Sequence, residues 1–80
     1  MSTVKAFVLI ETAVGKTREV AQSLGSVEGV TTVDAVTGPY DVIITLEAPD
    51  LNSVGALVTS AVHTLGGIER TITCLAVAGD

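Results

Sequence analysis

The feature that most constrains this chain is an internal repeat, loose in residue identity but strict in pattern. A shift of 38 positions lays Val4, Ala6, Val8 and Ile10 on Val42, Ile44, Leu46 and Ala48. The same shift lays Val20, Leu24 and Val27 on Val58, Val62 and Leu65, and Gly29-Val30 on Gly67-Ile68. Each half reads strand, helix, glycine turn, strand.

Local signals agree with that reading. Val4–Glu11 and Asp41–Glu47 are apolar, β-branched-rich runs of strand length bounded by polar or turn residues. Between Gly15 and Ser26, apolar residues at 20, 21 and 24 predict a first helix. Pro49-Asp50 opens a second, with Asp50 as its N-cap. Leu51, Val54, Leu57, Val58, Ala61, Val62 and Leu65 supply its apolar stripe. Gly29 and Gly66-Gly67 suit the left-handed turns that end helices. The remaining strands are Val30–Thr37 and Ile68–Ala78.

Two such halves predict a ferredoxin-like α+β fold, βαββαβ. Its antiparallel sheet has spatial order 4-1-3-2, with both helices on one face. Strands 1 and 3 should then be central and the most apolar, and they are. Phe7 and Leu9 sit behind the Val4-Ala6-Val8-Ile10 face of strand 1, and Ile43 sits behind Val42-Ile44-Leu46 of strand 3. A sheet apolar on both faces needs cover on both. The helices cover one face; a partner subunit packed sheet against sheet is expected over the other, giving a homodimer.

Length and composition point the same way. Eighty residues form one domain, residues 1–80. A chain of this size buries only roughly 60% of its unfolded surface. Disulfides cannot reinforce it, because Cys74 is its one cysteine. No structural metal is expected, because His63 is the one histidine and no Cys/His cluster exists. Association remains. The net charge is −5, with Lys5, Lys16, Arg18 and Arg70 the only fixed cations. Four dispersed cations cannot neutralise a row of phosphates, so no direct nucleic acid contact is expected. The apolar run Ala6–Ile10 is too short for a signal-peptide core and lacks a cleavage site. No stretch reaches the ~20 residues of a membrane span. A cytoplasmic location is the resulting expectation.

Thr37-Gly38-Pro39-Tyr40-Asp41, between strands 2 and 3, is the most informative segment. A tight turn accounts for Gly38 and Pro39. It accounts less well for Tyr40, one of two aromatics in the chain. Backbone N–H groups around the glycine suit a ligand carboxylate, and Asp41 suits an ammonium. Thr71 and Thr73 are two apart and so share a face of strand 4, although threonine also suits an edge strand on propensity alone.

The T-G-P-Y-D turn resembles the G-x-Y-D signature of the effector domain of Lrp/AsnC (feast/famine) regulators. The tail G-G-I-E-R-T-I-T-C resembles that family's G-V-x-R-T-x-T pattern. The resemblance runs from about Val4 to Val77. It implies sheet-packed dimers associating into rings of four or five, an octamer or a decamer, with amino acids or related metabolites bound between dimers. By motif position, Gly38, Tyr40 and Asp41 would come from one subunit's turn, and Thr71 and Thr73 would add hydroxyls. Full regulators carry an N-terminal helix-turn-helix. This chain begins at strand 1 and so resembles a stand-alone effector domain, acting on transcription through a full-length relative or by competing for its ligand.

The other polar residues carry less. His63 falls at the margin of the helical stripe, as a surface or interface residue without a catalytic partner. Cys74 reads as a small buried hydrophobe. Glu11 and Glu47 end equivalent strands, so the repeat allows them to lie close together. V-G-K-T-R lacks the first glycine of a phosphate loop. No catalytic residues, cofactor or metal site are expected. The sequence therefore predicts a non-enzymatic, oligomeric effector-binding module. The alternatives are an assembly partner of a full-length regulator and, further off, a dimeric α+β-barrel enzyme.

Overall fold

The structure, a computed structural model, describes residues 3–77. Strand β1 (Val4–Thr12) leads to helix α1 (Thr17–Gly25) and strand β2 (Val30–Ala35). Strand β3 (Val42–Ala48) leads to helix α2 (Leu51–Leu57), which widens into a π turn over Val58–Val62, and then to strand β4 (Ile68–Leu75). The sheet order is β2-β3-β1-β4 with every pair antiparallel. This is the predicted ferredoxin-like βαββαβ arrangement, apolar strands in the middle.

The repeat governs where the strands begin. β1 and β3 start at Val4 and Val42, β2 and β4 at Val30 and Ile68. Gly29 and Gly67 occupy equivalent turns and both take positive φ, 99° and 93°. Each turn packs against the opposite half. A Cβ on Gly29 would meet Leu57 Cδ1 at 2.5 Å, and one on Gly67 would meet Lys16 Cβ and Val20 Cγ2 at 3.2 Å. Each glycine carbonyl also accepts a backbone bond from the other half, Gly67 from Ala13 at 2.8 Å and Gly29 from Glu47 at 2.9 Å. The two copies are thus stitched together reciprocally.

The helices break the repeat. α1 starts at Thr17, whereas α2 starts one turn earlier than the equivalent point, because Asp50 caps it. Asp50 Oδ1 accepts from the Ser53 N–H at 2.8 Å, and that bond holds the Asp50 carboxyl below its ordinary value. α1 has no side-chain cap at Lys16. The later part of the second helix also departs from the expected continuous α-helix. Its buried residues Val54, Val58 and Val62 recur every four positions. At about 100° per residue, a four-residue step overshoots one turn by about 40°. Widening the turn removes part of that overshoot and keeps Val62 over the sheet; the bond from His63 N–H to Val58 O, 2.9 Å, closes it.

Core residues come entirely from the helix-facing side. Ala6, Val8 and Ile10 of β1 and Val42, Ile44, Leu46 and Ala48 of β3 pack under Val20, Leu24, Val54, Val58 and Val62. All are aliphatic, and no polar side chain is buried among the described residues. The opposite face carries Phe7, Leu9, Ile43, Thr45, Ile72 and Cys74, none of them buried. Cys74 lies across from Phe7 and is exposed, not enclosed, because β4 is an edge strand and this residue points away from the helices. Five strand limits also shift, the first where β1 runs one residue further than expected, to Thr12. β2 stops at Ala35, because Val36 N–H turns to bond Asp41 O at 2.9 Å. β3 starts and ends one residue later than expected. β4 ends at Leu75; the expected terminus at Ala78 lies outside the described residues.

Candidate functional site

The turn between β2 and β3 is built by two backbone bonds. Val36 N–H closes it onto Asp41 O, and Asp41 N–H donates to Ile10 O, both at 2.9 Å. Gly38 lies in this loop with φ of 144°. A side chain there would meet no atom within 4 Å, so backbone conformation and not space requires the glycine. Thr37, Gly38 and Pro39 are exposed, and Tyr40 and Asp41 are half-buried.

Asp41 is the best-anchored polar residue of the turn. Its Oδ2 accepts from the Thr12 backbone N–H at 2.8 Å and from the Thr12 hydroxyl at 3.2 Å. Thr12 Oγ1 in turn lies 2.8 Å from Thr17 Oγ1, on the first residue of α1. Both bonds to the carboxylate fall on Oδ2. Asp41 makes no ion pair among the described residues; Glu11 next to Thr12 pairs with Arg70 at 3.5 Å.

Thr71 and Thr73 stand elsewhere. They lie opposite Ile10 and Val8 in the β1–β4 register, which puts both on the helix-facing side of β4. Thr71 is half-buried, with Oγ1 3.3 Å from Nε2 of the exposed His63. Thr73 lines an open groove of about 380 Å³ between α2 and β4, with Leu51, Val54, Gly55, Val58 and Leu75. The groove is mainly apolar, and Leu51 and Leu75 remain 58% and 45% exposed in it.

Gly38, Tyr40 and Asp41 are therefore together in one turn, and Thr71 and Thr73 together on one strand face. The two groups are not joined within a chain. β1 lies between β3 and β4, and two strand spacings separate those strands by about 10 Å. Thr12 and Thr17 were not singled out from sequence. The signal that could have found Thr12 is the repeat itself: it stands where the second half has Asp50, which caps its helix. Glu11 and Glu47 do not meet. β1 and β3 run antiparallel, Glu47 opposite Lys5 and Glu11 at the far end of β1, so no carboxylate pair forms. Among the described residues no group of His, Cys, Asp and Glu could hold a metal ion. Among the described residues, no helix is long and apolar enough to cross a membrane.

Comparison with known proteins adds to this geometry. Residues 5–78 match the sequence model of the Lrp/AsnC ligand binding domain. Among curated proteins none matches significantly. Among solved structures, FFRP-DM1 is 34% identical, with a TM-score of 0.89 over 92% of this chain and 99% of that one. TTHA0845 from Thermus thermophilus is 31% identical, with a TM-score of 0.91 over 96% of each chain. The transcriptional regulator NMB0573 of Neisseria meningitidis, solved as a complex with L-Met, is 20% identical, with a TM-score of 0.83 over 92% of this chain and 49% of its own. That last likeness is one of fold.

Proposed function

This chain belongs to the Lrp/AsnC ligand-binding domain family, and we propose that it is an oligomeric, non-enzymatic module that binds an amino acid or a related metabolite. The observation that carries this reading is the turn at 37–41. Its glycine frees the backbone at the tip, and its aspartate is fixed through one carboxylate oxygen while the other receives no bond among the described residues. A loop of that kind offers N–H groups to a carboxylate and an anchored anion to an ammonium. Gly38, Tyr40 and Asp41 supply this part of the site. Thr71 and Thr73 supply hydroxyls from a neighbouring subunit, which accounts for their separation from the turn within one chain. The L-Met complex of the Neisseria regulator is in keeping with an amino acid as ligand.

Assembly follows from the uncovered sheet face. Phe7, Leu9, Ile43 and Ile72 form an apolar surface on the side without helices, and a second copy packed there gives a homodimer. Dimers then associate into an octamer or decamer, creating the contacts at which the ligand sits. Such a module works in the cytoplasm. It influences transcription or metabolism indirectly, by co-assembling with a full-length Lrp/AsnC regulator or by competing for its effector. The second reading, an assembly partner without a ligand of its own, draws on the same apolar face.

Thermal unfolding of the purified protein against the twenty amino acids at millimolar concentration tests the reading. A ligand specific for the folded state, at ~100 times its dissociation constant, stabilises by about 2.7 kcal/mol. One or a few amino acids should raise the midpoint by several degrees, and Asp41→Ala should abolish the rise. A flat response to all twenty in a protein that is a large oligomer favours the assembly reading.

A further inference from the structure

Thr12 and Thr17 are conspicuous because the repeat does not need them. The second half reaches its helix through Asp50, which caps α2 directly, and its counterpart of Thr17 is Gly55. The first half instead carries a three-residue chain, Thr17–Thr12–Asp41, that bridges the entrance of α1, the end of β1 and the start of β3. An equivalent half folds without such a chain, so its presence calls for another explanation.

We infer that Thr12 is a positioning residue for the ligand's ammonium group, acting through Asp41, with Thr17 orienting Thr12 in turn. The inference rests on the amino-acid reading above and adds to it the device that aims the aspartate. A half-buried carboxylate at the base of an exposed turn has two rotatable bonds and no fixed direction of its own. The Thr12 N–H at 2.8 Å and hydroxyl at 3.2 Å both draw Oδ2 toward β1. When the Thr12 hydroxyl proton points at Asp41, its oxygen is left to accept, and Thr17 Oγ1 at 2.8 Å is placed to donate to it. The chain thus runs Thr17 O–H to Thr12 O–H to Asp41 Oδ2. Oδ1 receives no hydrogen bond among the described residues and keeps its acceptor capacity for an ammonium. Preorganising the anion in this way lowers the ordering cost of binding.

The test uses the 80-residue chain and isothermal calorimetry. The probes are the amino acid that most raises the wild-type unfolding midpoint and its deaminated counterpart, the same carboxylic acid without the ammonium. Thr12→Val removes the hydroxyl but keeps shape and the backbone N–H. It should weaken the amino acid about tenfold, leave the deaminated acid within about twofold, and be reversed by Thr12→Ser. Thr17→Val should act in the same direction and less. Equal weakening of both probes overturns the inference, because that is what a general loosening of the turn does. Wild-type affinity in Thr12→Val also overturns it while leaving the sensing function intact. Should the deaminated acid bind too weakly to measure, failure of Thr12→Ser to restore affinity is the contradicting result. A wild-type protein that binds none of the twenty amino acids removes the reading beneath the inference, and the inference with it.

Discussion

The two faces of the sheet are made from the same strands and have opposite fates. Alternate residues of β1 and β3 point to each side; the helix-facing set is aliphatic, and the other holds Phe7, Leu9 and Ile43 at its centre with Lys5, Glu11, Thr45 and Glu47 beside them. On one side, Ala6, Val8, Ile10, Val42, Ile44 and Leu46 are all at 0% exposure beneath the helices. On the other, Phe7, Leu9 and Ile43 remain half-buried and Ile72 is 43% exposed. The difference lies partly in residue type, since charged residues flank the apolar centre of the open face, and partly in what the chain itself can supply as cover. An aliphatic face with its own helices becomes a core. A face without them, with an apolar centre that holds the one phenylalanine, is a surface suited to another copy.

Truncation on the covered face gives the largest expected effect. Leu46→Ala should lower stability by about 2–5 kcal/mol, a loss visible as a fall in the thermal midpoint at every protein concentration. Phe7→Glu on the open face should act differently. It should weaken self-association by about 2 kcal/mol or more, seen as a concentration-dependent drop in sedimenting mass with far-UV circular dichroism retained. If Phe7→Glu lowers the thermal midpoint equally at every concentration while the sedimenting mass stays that of wild type, the contrast between the faces is lost. Gly67→Ala probes how the helical cover is attached. The positive φ and the 3.2 Å approach to Val20 Cγ2 should make it cost about 1–2 kcal/mol, measured by urea unfolding.

The smallest effect concerns the cap that lets α2 begin a turn early. The Asp50 carboxyl is held below its ordinary value of 3.8 by the Ser53 N–H bond. A lowered folded value means the cap stabilises fully above the ordinary value and fades as pH falls through the folded one. The gap in melting temperature between wild type and Asp50→Ala should therefore be present at pH 7 and shrink below about pH 4. A gap independent of pH would show that the charged carboxylate is not what caps the helix.

Much of the architecture was legible because it rests on periodicity. The repeat located both strand pairs, and Gly29 and Gly67 announced the turns that its two copies share. The cap at Asp50 was equally local and equally visible. What escaped was set by contacts between distant residues. The Thr12–Asp41 bonds join the end of β1 to the turn before β3, and no spacing rule connects 12 with 41. The π turn reflects how the valine stripe must sit on the sheet beneath it. Cys74 escaped for a related reason: alternation tells which residues share a face but not whether that face is covered. The site was readable to the same extent. The Gly38–Asp41 turn stood out by its residue types, whereas the distance from it to Thr71 and Thr73 depends on the strand order.

Under the proposed function, a second copy covers the helix-free face of this sheet, and the amino-acid site exists only in the resulting assembly. Sedimentation equilibrium on the wild-type protein, across micromolar concentrations, tests it most directly. The mass should be an even multiple of the 8.1 kDa subunit, with Phe7→Glu moving it toward one subunit. A wild-type protein that sediments as an 8.1 kDa monomer throughout that range would contradict it.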